Sequence, residues 1–184
     1  MHVRSKKFLP VIHCVDPQKK NGIQHAIRNT RIAVANNADG VFLIGHTINY
    51  LDLVDIYRNV RKDFPDTWIG VNFLDLPHKD NWGHLADVAW RCEGLNALWT
   101  DGLPNEKLLL HDTTDVYGSV AFKYINPNQN GVELQHACEQ ASMFVDVVTT
   151  SGDKTGSPPE ILKLKTIRHH LPSNISLALA SGIS

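Results

Sequence analysis

Short apolar runs that alternate with amphipathic, helix-like stretches constrain this sequence more than any other feature. Seven such runs begin about every 25–30 residues, which is the length of one strand–helix unit. They are the segments 8–13, 40–45, 68–74, 97–100, 120–124, 145–149 and 175–180. Their apolar residues are continuous rather than alternating, a pattern typical of strands buried on both faces of a parallel sheet. The sequence therefore predicts an α/β fold built from repeated strand–helix units.

Helical periodicity is found between several of these runs. Apolar residues recur at intervals of three and four in the segments 53–64, 85–92 and 134–141. Each segment therefore presents one apolar stripe that can cover a sheet. A further helix is predicted to begin at 157–160, where Ser-Pro-Pro-Glu combines a capping box with an early proline. Its inward residues are predicted to be Ile161, Leu164 and Leu171.

Strictly alternating strand–helix units form either a closed barrel or an open, doubly wound sheet. The dinucleotide-binding pattern G-x-G-x-x-G does not follow the first predicted strand, which favours the barrel. We therefore predict a (β/α)8 TIM-type barrel that forms a single domain over residues 1–184. Only seven strands are predicted, so we expect the barrel to be C-terminally incomplete, with its last unit missing from this sequence or supplied by another chain. A homo-oligomer would cover the exposed sheet edges.

Charge and composition exclude several classes of partner. The 184 residues carry 18 basic and 19 acidic side chains, so the net charge of −1 gives no attraction for nucleic acid or an anionic membrane. No apolar run reaches the ~18 residues of a membrane span, and the N-terminus lacks the pattern of a secretory signal. The three cysteines are scattered and odd in number, which argues against a disulfide framework or a structural zinc site. We expect a cytoplasmic protein with no nucleic-acid partner and no membrane span.

Polar residues end or follow most of the predicted strands. Because TIM-barrel active sites form at the C-terminal ends of the strands, we expect several of these residues to share a pocket. His13 and Asp101 are candidates for proton transfer, and Asn72 is a candidate for orienting a substrate hydroxyl or holding a loop. Lys123 stands between two aromatic residues in the predicted fifth strand. It is a candidate nucleophile, acid–base or phosphate ligand, or the partner of a carboxylate such as Asp101 without any chemical role.

The segment 149–156 combines two glycines, four hydroxyl side chains and a lysine before a predicted helix. Glycines let backbone amides turn toward an anion, and a helix N-terminus favours negative charge. Ser181 and Gly182 follow the seventh strand and can supply further donors. The pattern predicts a phosphate site in the loops after strands six and seven, although a flexible connector has a similar composition. The spacing of a Walker loop is absent.

No metal site or cofactor is predicted. His13, His46, Asp75 and Asp101 carry suitable ligand atoms, but no H-x-H or H-E-x-x-H spacing joins them.

Four segments resemble the BtpA/SgcQ family of predicted TIM-barrel proteins, in order over most of the chain: 10–13, 69–74, 146–152 with 155–156, and 180–184. The resemblance implies a barrel related to phosphate-binding barrels. It implies no single reaction, because family members are linked both to photosystem I accumulation and to carbohydrate-associated gene neighbourhoods. In the first-strand region the resemblance extends only to His13. The anion site that it implies comprises Ser151, Gly152, Thr155, Gly156, Ser181 and Gly182.

The sequence thus predicts an enzyme of isomerase or lyase type that binds a phosphorylated, sugar-phosphate-like small molecule. Lys123, Asp101 and His13 would carry the chemistry, and Asn72 with the late loops would bind the substrate. The alternative is a non-catalytic assembly or regulatory factor of the BtpA type. A metal-dependent hydrolase is a third hypothesis, which requires bound metal.

Overall fold

A computed structural model describes residues 6–18, 21–76, 81–123, 125–126 and 129–182. Tyr124, Ile183 and Ser184, which belong to the sequence patterns above, lie outside the described residues. The strands are β1 (Val11–Cys14), β2 (Gly40–Gly45), β3 (Trp68–Asn72), β4 (Ala97–Thr100), β5 (Asp115–Ser119), β6 (Val147–Thr150) and β7 (Ser176–Leu179). The helices are α1 (Gly22–Ala35), α2 (Tyr50–Asp63), α3 (Trp82–Ala89), α4 (Gly131–Phe144) and α5 (Ile161–His170).

The strands follow one another in sequence order, β1 to β7. Pairing is parallel from β1 to β4 and again from β5 to β7. The predicted TIM-barrel-like α/β fold is confirmed. No helix in the described part of the chain combines the length and the apolar character needed to cross a membrane.

The described residues divide into two compact units. Unit 1 comprises residues 6–18, 21–76, 87–98 and 111–114, and unit 2 comprises residues 81–86, 99–110, 115–123, 125–126 and 129–182.

In unit 1, the parallel register places His13, Ile44 and Asn72 in one row across β1, β2 and β3. Helix α2 begins where the Asn49 side chain accepts the Asp52 N–H, a standard N-cap. The other end of α2 is fixed by Arg61, whose guanidinium donates to five backbone or amide oxygens, those of Phe64, Pro65, Thr67, Gly94 and Asn96. These contacts hold the end of α2 and the loop that follows it against the segment 94–96.

In unit 2, the register aligns Ser119 with Thr149, and Thr149 with Ala178. Helix α4 is buried along its predicted stripe, and the four stripe residues are Leu134, Ala137, Cys138 and Ala141. Helix α5 is anchored by Ile167, which is fully buried and contributes about 2–3 kcal/mol of apolar burial. The strand ends and the loops that follow them are therefore held on a packed layer.

The predicted fifth strand, 120–124, is wrong in position. Strand β5 covers Asp115–Ser119 and ends immediately before the apolar run 120–124. The strand ends before Ala121 because that residue has a φ of 46°, a left-handed conformation that cannot continue a strand. Lys123 therefore lies in the turn after β5 rather than within a strand.

The predicted start of the last helix is also wrong. Helix α5 begins at Ile161, with Glu160 as its extended N-cap residue. Consecutive prolines explain the delay, because a residue before proline avoids the helical conformation and here Ser157 and Pro158 both precede one. The predicted inward position of Ile161 is also wrong: Ile161 is 72% exposed, and the fully buried residue of the helix is Ile167. Leu171 is buried as predicted, just beyond the end of the helix.

Candidate functional site

The loops after β5 and β6 are joined by the first pair of predicted site residues. The Lys123 backbone N–H donates to Ser151 Oγ at 2.9 Å. The Ser151 hydroxyl in turn donates to the Gly152 carbonyl oxygen at 2.9 Å. Ser151 is fully buried, so its contact with Gly152 is shielded from water, whereas its contact with Lys123 is partly shielded. The structure thus brings Lys123, Ser151 and Gly152 together at the ends of two neighbouring strands.

The loop after β6 and the turn after β7 are joined by a second predicted pair. The Gly156 N–H donates to Ser181 Oγ at 2.8 Å. Gly156, Ser181 and Gly182 all have positive φ values, of 83°, 82° and 67°. Such left-handed residues orient successive amides differently from a strand or helix, and this is a common feature of anion-binding loops.

Two of the predicted glycines are required by close backbone packing, independently of any ligand. A Cβ atom on Gly152 would lie 2.2 Å from the Ser157 carbonyl oxygen. A Cβ atom on Gly182 would lie 2.3 Å from the Pro158 nitrogen. The segment 157–158 therefore packs against both glycines, which fixes the loop after β6 against the turn after β7.

The Lys123 side chain is half-buried, and its ammonium lies 5.8 Å from the centre of the Phe122 ring. At this distance the ring face attracts the cation. Phe122 itself packs edge-to-face on Trp99, with ring centroids 5.9 Å apart. Asp101 directly follows β4 in the same unit and is also half-buried.

A buried polar row lies on one face of β4, β5 and β6. Trp99 Nε1 donates to Ser119 Oγ at 3.3 Å, and the Ser119 hydroxyl donates to the Thr100 carbonyl oxygen at 3.0 Å. Thr149 is aligned with Ser119, so their side chains project from the same face of the sheet. Thr149 Oγ1 is buried and has no hydrogen-bond partner among the described residues. The sequence pattern includes this hydroxyl in the segment 149–156, but it does not reveal that the hydroxyl is buried on the face shared with Ser119.

Lys163 is a residue of this site that the sequence pattern does not reveal. Its ammonium reaches from α5 to the Ala121 carbonyl oxygen at 2.5 Å and the Ser151 carbonyl oxygen at 2.8 Å. Burial lowers the pKa of Lys163, and the nearby Asp153 and Glu160 carboxylates partly offset that effect. Helical periodicity alone assigns such a lysine to the solvent side, so only the fold shows this contact.

His13 and Asn72 belong to unit 1. The His13 and His46 rings are stacked, with centroids 5.0 Å apart and planes inclined by 23°, and both side chains are exposed. Asn72 is 1% exposed at the end of β3. Asp75 Oδ2 accepts the Tyr50 N–H at 2.9 Å, so this carboxylate supports the first turn of α2.

The sequence of this chain matches no known family profile and no curated protein. The assignment to the BtpA/SgcQ family therefore stays a prediction.

Solved structures resemble the chain much more clearly than sequences do. One is a mandelate racemase/muconate lactonizing protein from Herpetosiphon aurantiacus, with a TM-score of 0.61 and 12% identity, covering 97% of this chain and 47% of that protein. A second is the 3,6-anhydro-D-galactonate cycloisomerase from Zobellia galactanivorans, with a TM-score of 0.60 and 9% identity, covering 95% and 46%. The fold is TIM-barrel-like. At such low identity the likeness shows the fold alone, and the chain spans about half the length of these proteins.

A third similar structure, a mandelate racemase/muconate lactonizing protein from Paracoccus denitrificans PD1222, is complexed with magnesium. Its TM-score is 0.58 at 12% identity, and the match covers 95% of this chain and 46% of that protein. Within the ranges that the structure describes, no three or more histidine, cysteine, aspartate or glutamate side chains gather closely enough to hold a metal ion.

Proposed function

We propose that this chain is part of an enzyme of isomerase or lyase type that binds a phosphorylated small molecule at the strand-end loops of unit 2. One observation carries the proposal: hydrogen bonds from Lys123 to Ser151 and from Gly156 to Ser181 join the loops after β5, β6 and β7. Late loops of this kind hold phosphate in many TIM-barrel enzymes. The racemase and cycloisomerase names of the similar structures are compatible with this reaction class.

The two serines have different roles in this proposal. Ser181 Oγ accepts a hydrogen bond from Gly156, so the hydroxyl hydrogen of Ser181 is available to a phosphate oxygen. Ser151 donates its hydroxyl hydrogen to the Gly152 carbonyl, so it supports Lys123 rather than the anion. Thr155, which is exposed in the same loop, supplies a second hydroxyl. The amides of Gly152 and Gly182 complete the proposed phosphate site.

Lys123 is the proposed catalytic residue of unit 2. Its ammonium would polarise a substrate carbonyl or, as the neutral amine, attack it to form a Schiff base with loss of water. Asp101 would carry the proton in the same unit. Proton transfer by His13 and substrate binding by Asn72 remain predictions from the sequence. Both isomerisation and aldol-type cleavage begin with such a polarised carbonyl.

Borohydride trapping with keto-sugar phosphates tests this proposal directly. A Schiff base at Lys123 is reduced to a stable secondary amine, which peptide mapping locates, and inorganic phosphate should suppress the adduct. Lys123→Gln should abolish labelling, whereas Lys165→Gln, an exposed position on α5, should leave it unchanged. If trapping fails, exchange of substrate hydrogen for deuterium in D2O should report a proton-shuttle isomerase.

Phosphate binding provides the decisive control. Addition of inorganic phosphate should shift the amide resonances of residues 151–156 and 181–182. Unchanged resonances there, together with no adduct and no deuterium exchange, would overturn the enzyme proposal.

Exposed apolar residues on α5 favour a second candidate, a non-catalytic assembly factor of the BtpA type. Ile161 and Leu162 are each 72% exposed at the start of this helix. A second copy of the chain would cover such residues in a homo-oligomer. Sedimentation of the wild type and of Leu162→Ser tests this: self-association that the variant weakens, without any phosphate shift, would favour the second candidate.

A further inference from the structure

Ala121 adopts an unfavourable backbone conformation that its surroundings must maintain. Its φ of 46° is a left-handed conformation, which is unfavourable for a residue with a Cβ atom. Its N–H donates to Gln129 Oε1 at 3.0 Å. Its carbonyl oxygen accepts from Thr150 Oγ1 at 3.3 Å and from Lys163 Nζ at 2.5 Å. Three side chains therefore fix both polar groups of one buried peptide position.

Lys163 extends this arrangement to the next loop. The same ammonium donates to the Ser151 carbonyl oxygen at 2.8 Å. The hydroxyl of Ser151 accepts the Lys123 N–H. The Lys163 ammonium on α5 therefore joins the turn after β5 to the loop after β6. The hydrogen bond between the Lys123 N–H and Ser151 Oγ joins the same turn and loop.

We propose that Lys163 is a positioning residue that holds the turn 121–123 and Ser151 together, so that Lys123 is placed beside the loop after β6. The inference rests on the proposed function, in which Lys123 meets the substrate and Lys163 does not. Lys163 acts through backbone carbonyls alone.

The chemistry of lysine suits this position. Its ammonium is a compact group with three donors, so it can serve two carbonyl oxygens that converge from different loops. Ala121 and Ser151 are 1% and 0% exposed, so water would replace a lost donor poorly. Burial of the ammonium lowers its pKa, and Asp153 and Glu160 are the carboxylates that stabilise its charge. An apolar side chain at 163 would leave the Ser151 carbonyl without this charged donor.

Amide hydrogen exchange separates this role from a general effect on stability. Lys163→Met should accelerate exchange at the Ala121 and Lys123 amides by at least tenfold. The Val120 and Ala180 amides, which donate to Thr149 and Thr150 carbonyls, should keep their protection. Lys165→Met removes a charge from an exposed position of the same helix and should leave all four amides unchanged. Equal acceleration at all four amides, or none, would overturn the inference.

Trapping at Lys123 supplies the functional readout. Pyridoxal 5′-phosphate, a phosphorylated aldehyde, condenses with the Lys123 amine and releases water, and borohydride then reduces the imine to a secondary amine. The labelling rate of Lys123 should fall at least fivefold in Lys163→Met and return toward the wild-type rate in Lys163→Arg, which keeps a charged donor. If Lys163→Met does not fold, Lys163→Gln serves in both measurements. A labelling rate that is equal in the folded variants would overturn the positioning role.

The two readouts fail separately. Amide hydrogen exchange requires no ligand. Faster exchange confined to the Ala121 and Lys123 amides therefore supports the positioning role of Lys163 even if wild-type Lys123 is never labelled. A failure to label wild-type Lys123 would instead count against the proposed function.

Discussion

The Ser181 hydroxyl accepts a hydrogen bond of 2.8 Å from the Gly156 amide, and this contact joins the loop after β6 to the turn after β7. It is partly open to solvent, so its loss should affect the order of the loops more than the stability of the fold.

Ser181→Ala should therefore separate anion binding from stability. We expect the affinity for inorganic phosphate to fall about tenfold, or about 1.4 kcal/mol. The variant loses both the hydroxyl that would donate to phosphate and the hydrogen bond from the Gly156 N–H. The free energy of unfolding should change by less than about 1 kcal/mol, since the contact is exposed. Titration followed by amide resonances, with urea unfolding alongside, measures both quantities. Equal phosphate affinity in variant and wild type would contradict the proposed role of Ser181.

Ser151→Ala, in contrast to Ser181→Ala, should mainly lower the free energy of unfolding. The hydroxyl is buried and makes two hydrogen bonds, so its removal leaves the Lys123 amide and the Gly152 carbonyl without this partner. We expect a loss of about 1–3 kcal/mol in the free energy of unfolding. Ser142→Ala, which removes an exposed hydroxyl bond to the Glu139 carbonyl on α4, should cost less than about 0.5 kcal/mol. Similar losses in the free energy of unfolding would show that the buried Ser151 contacts contribute no more to stability than the exposed Ser142 contact.

Gly152→Ala should destabilise the protein by about 1–3 kcal/mol or more, because the new Cβ would overlap the Ser157 carbonyl oxygen. The matched control is Gly83→Ala in α3, where a Cβ has no neighbour within 4 Å. That variant should instead stabilise the protein by about 0.5–1 kcal/mol, since alanine is the better helix former. Urea unfolding of both variants checks the predicted difference in sign.

Arg61→Met should destabilise unit 1 strongly. The guanidinium donates to the carbonyl oxygens of Thr67 and Gly94 among others, and a charged hydrogen bond contributes about 1.5–3 kcal/mol. We expect the variant to lose at least about 2 kcal/mol. The neighbouring Lys62→Met removes the same charge at an exposed position and should change stability by less than about 0.5 kcal/mol. Thermal or urea unfolding that ranks the two variants equally would refute this account.

The buried thiols predict how stability depends on pH. Burial raises the pKa of Cys14 and of Cys92 from 9.0 to about 12. Well below pH 9 both thiols are protonated in the folded and the unfolded chain, so their contribution to stability is fully present there. As the pH rises from 9 toward 12, the unfolded chain releases these protons first, and each cysteine should remove up to about 1.4 kcal/mol per pH unit. Urea unfolding between pH 8 and 10.5 measures this decline.

Cys14→Ala tests the assignment of that decline. The variant should be less stable at pH 7, since it leaves a small cavity, but its stability should fall less steeply above pH 9. An unchanged slope would show that Cys14 does not carry the effect.

Most of the strands can be predicted from sequence because their apolar runs are continuous. Strand β2 matches its predicted limits, 40–45, since glycines stand at both ends of a fully buried run. Strand β5 escapes prediction because its own sequence, Asp-Val-Tyr-Gly-Ser, is less apolar than the segment that follows. Val120 to Phe122 are buried without being a strand, since the left-handed Ala121 breaks the extended conformation.

The candidate site is predictable only in part. Ser151, Gly156 and Ser181 can be selected from composition because glycines and hydroxyls cluster where strands end. The contact of Lys163 with Ala121 joins positions 42 residues apart, and no periodicity reports on such a distance in sequence. The helix start is predicted too early because the capping box places it at Ser157, whereas the two prolines that follow delay it to Ile161.

The contacts of segment 157–158 with Gly152 and Gly182 have a consequence for how this region can change during evolution. A side chain could be accommodated at either glycine only if segment 157–158 moved away. That movement would also open space at the other glycine. Sequences descended from the same ancestor should therefore retain both glycines together, or replace both in company with an altered length or course of residues 157–158.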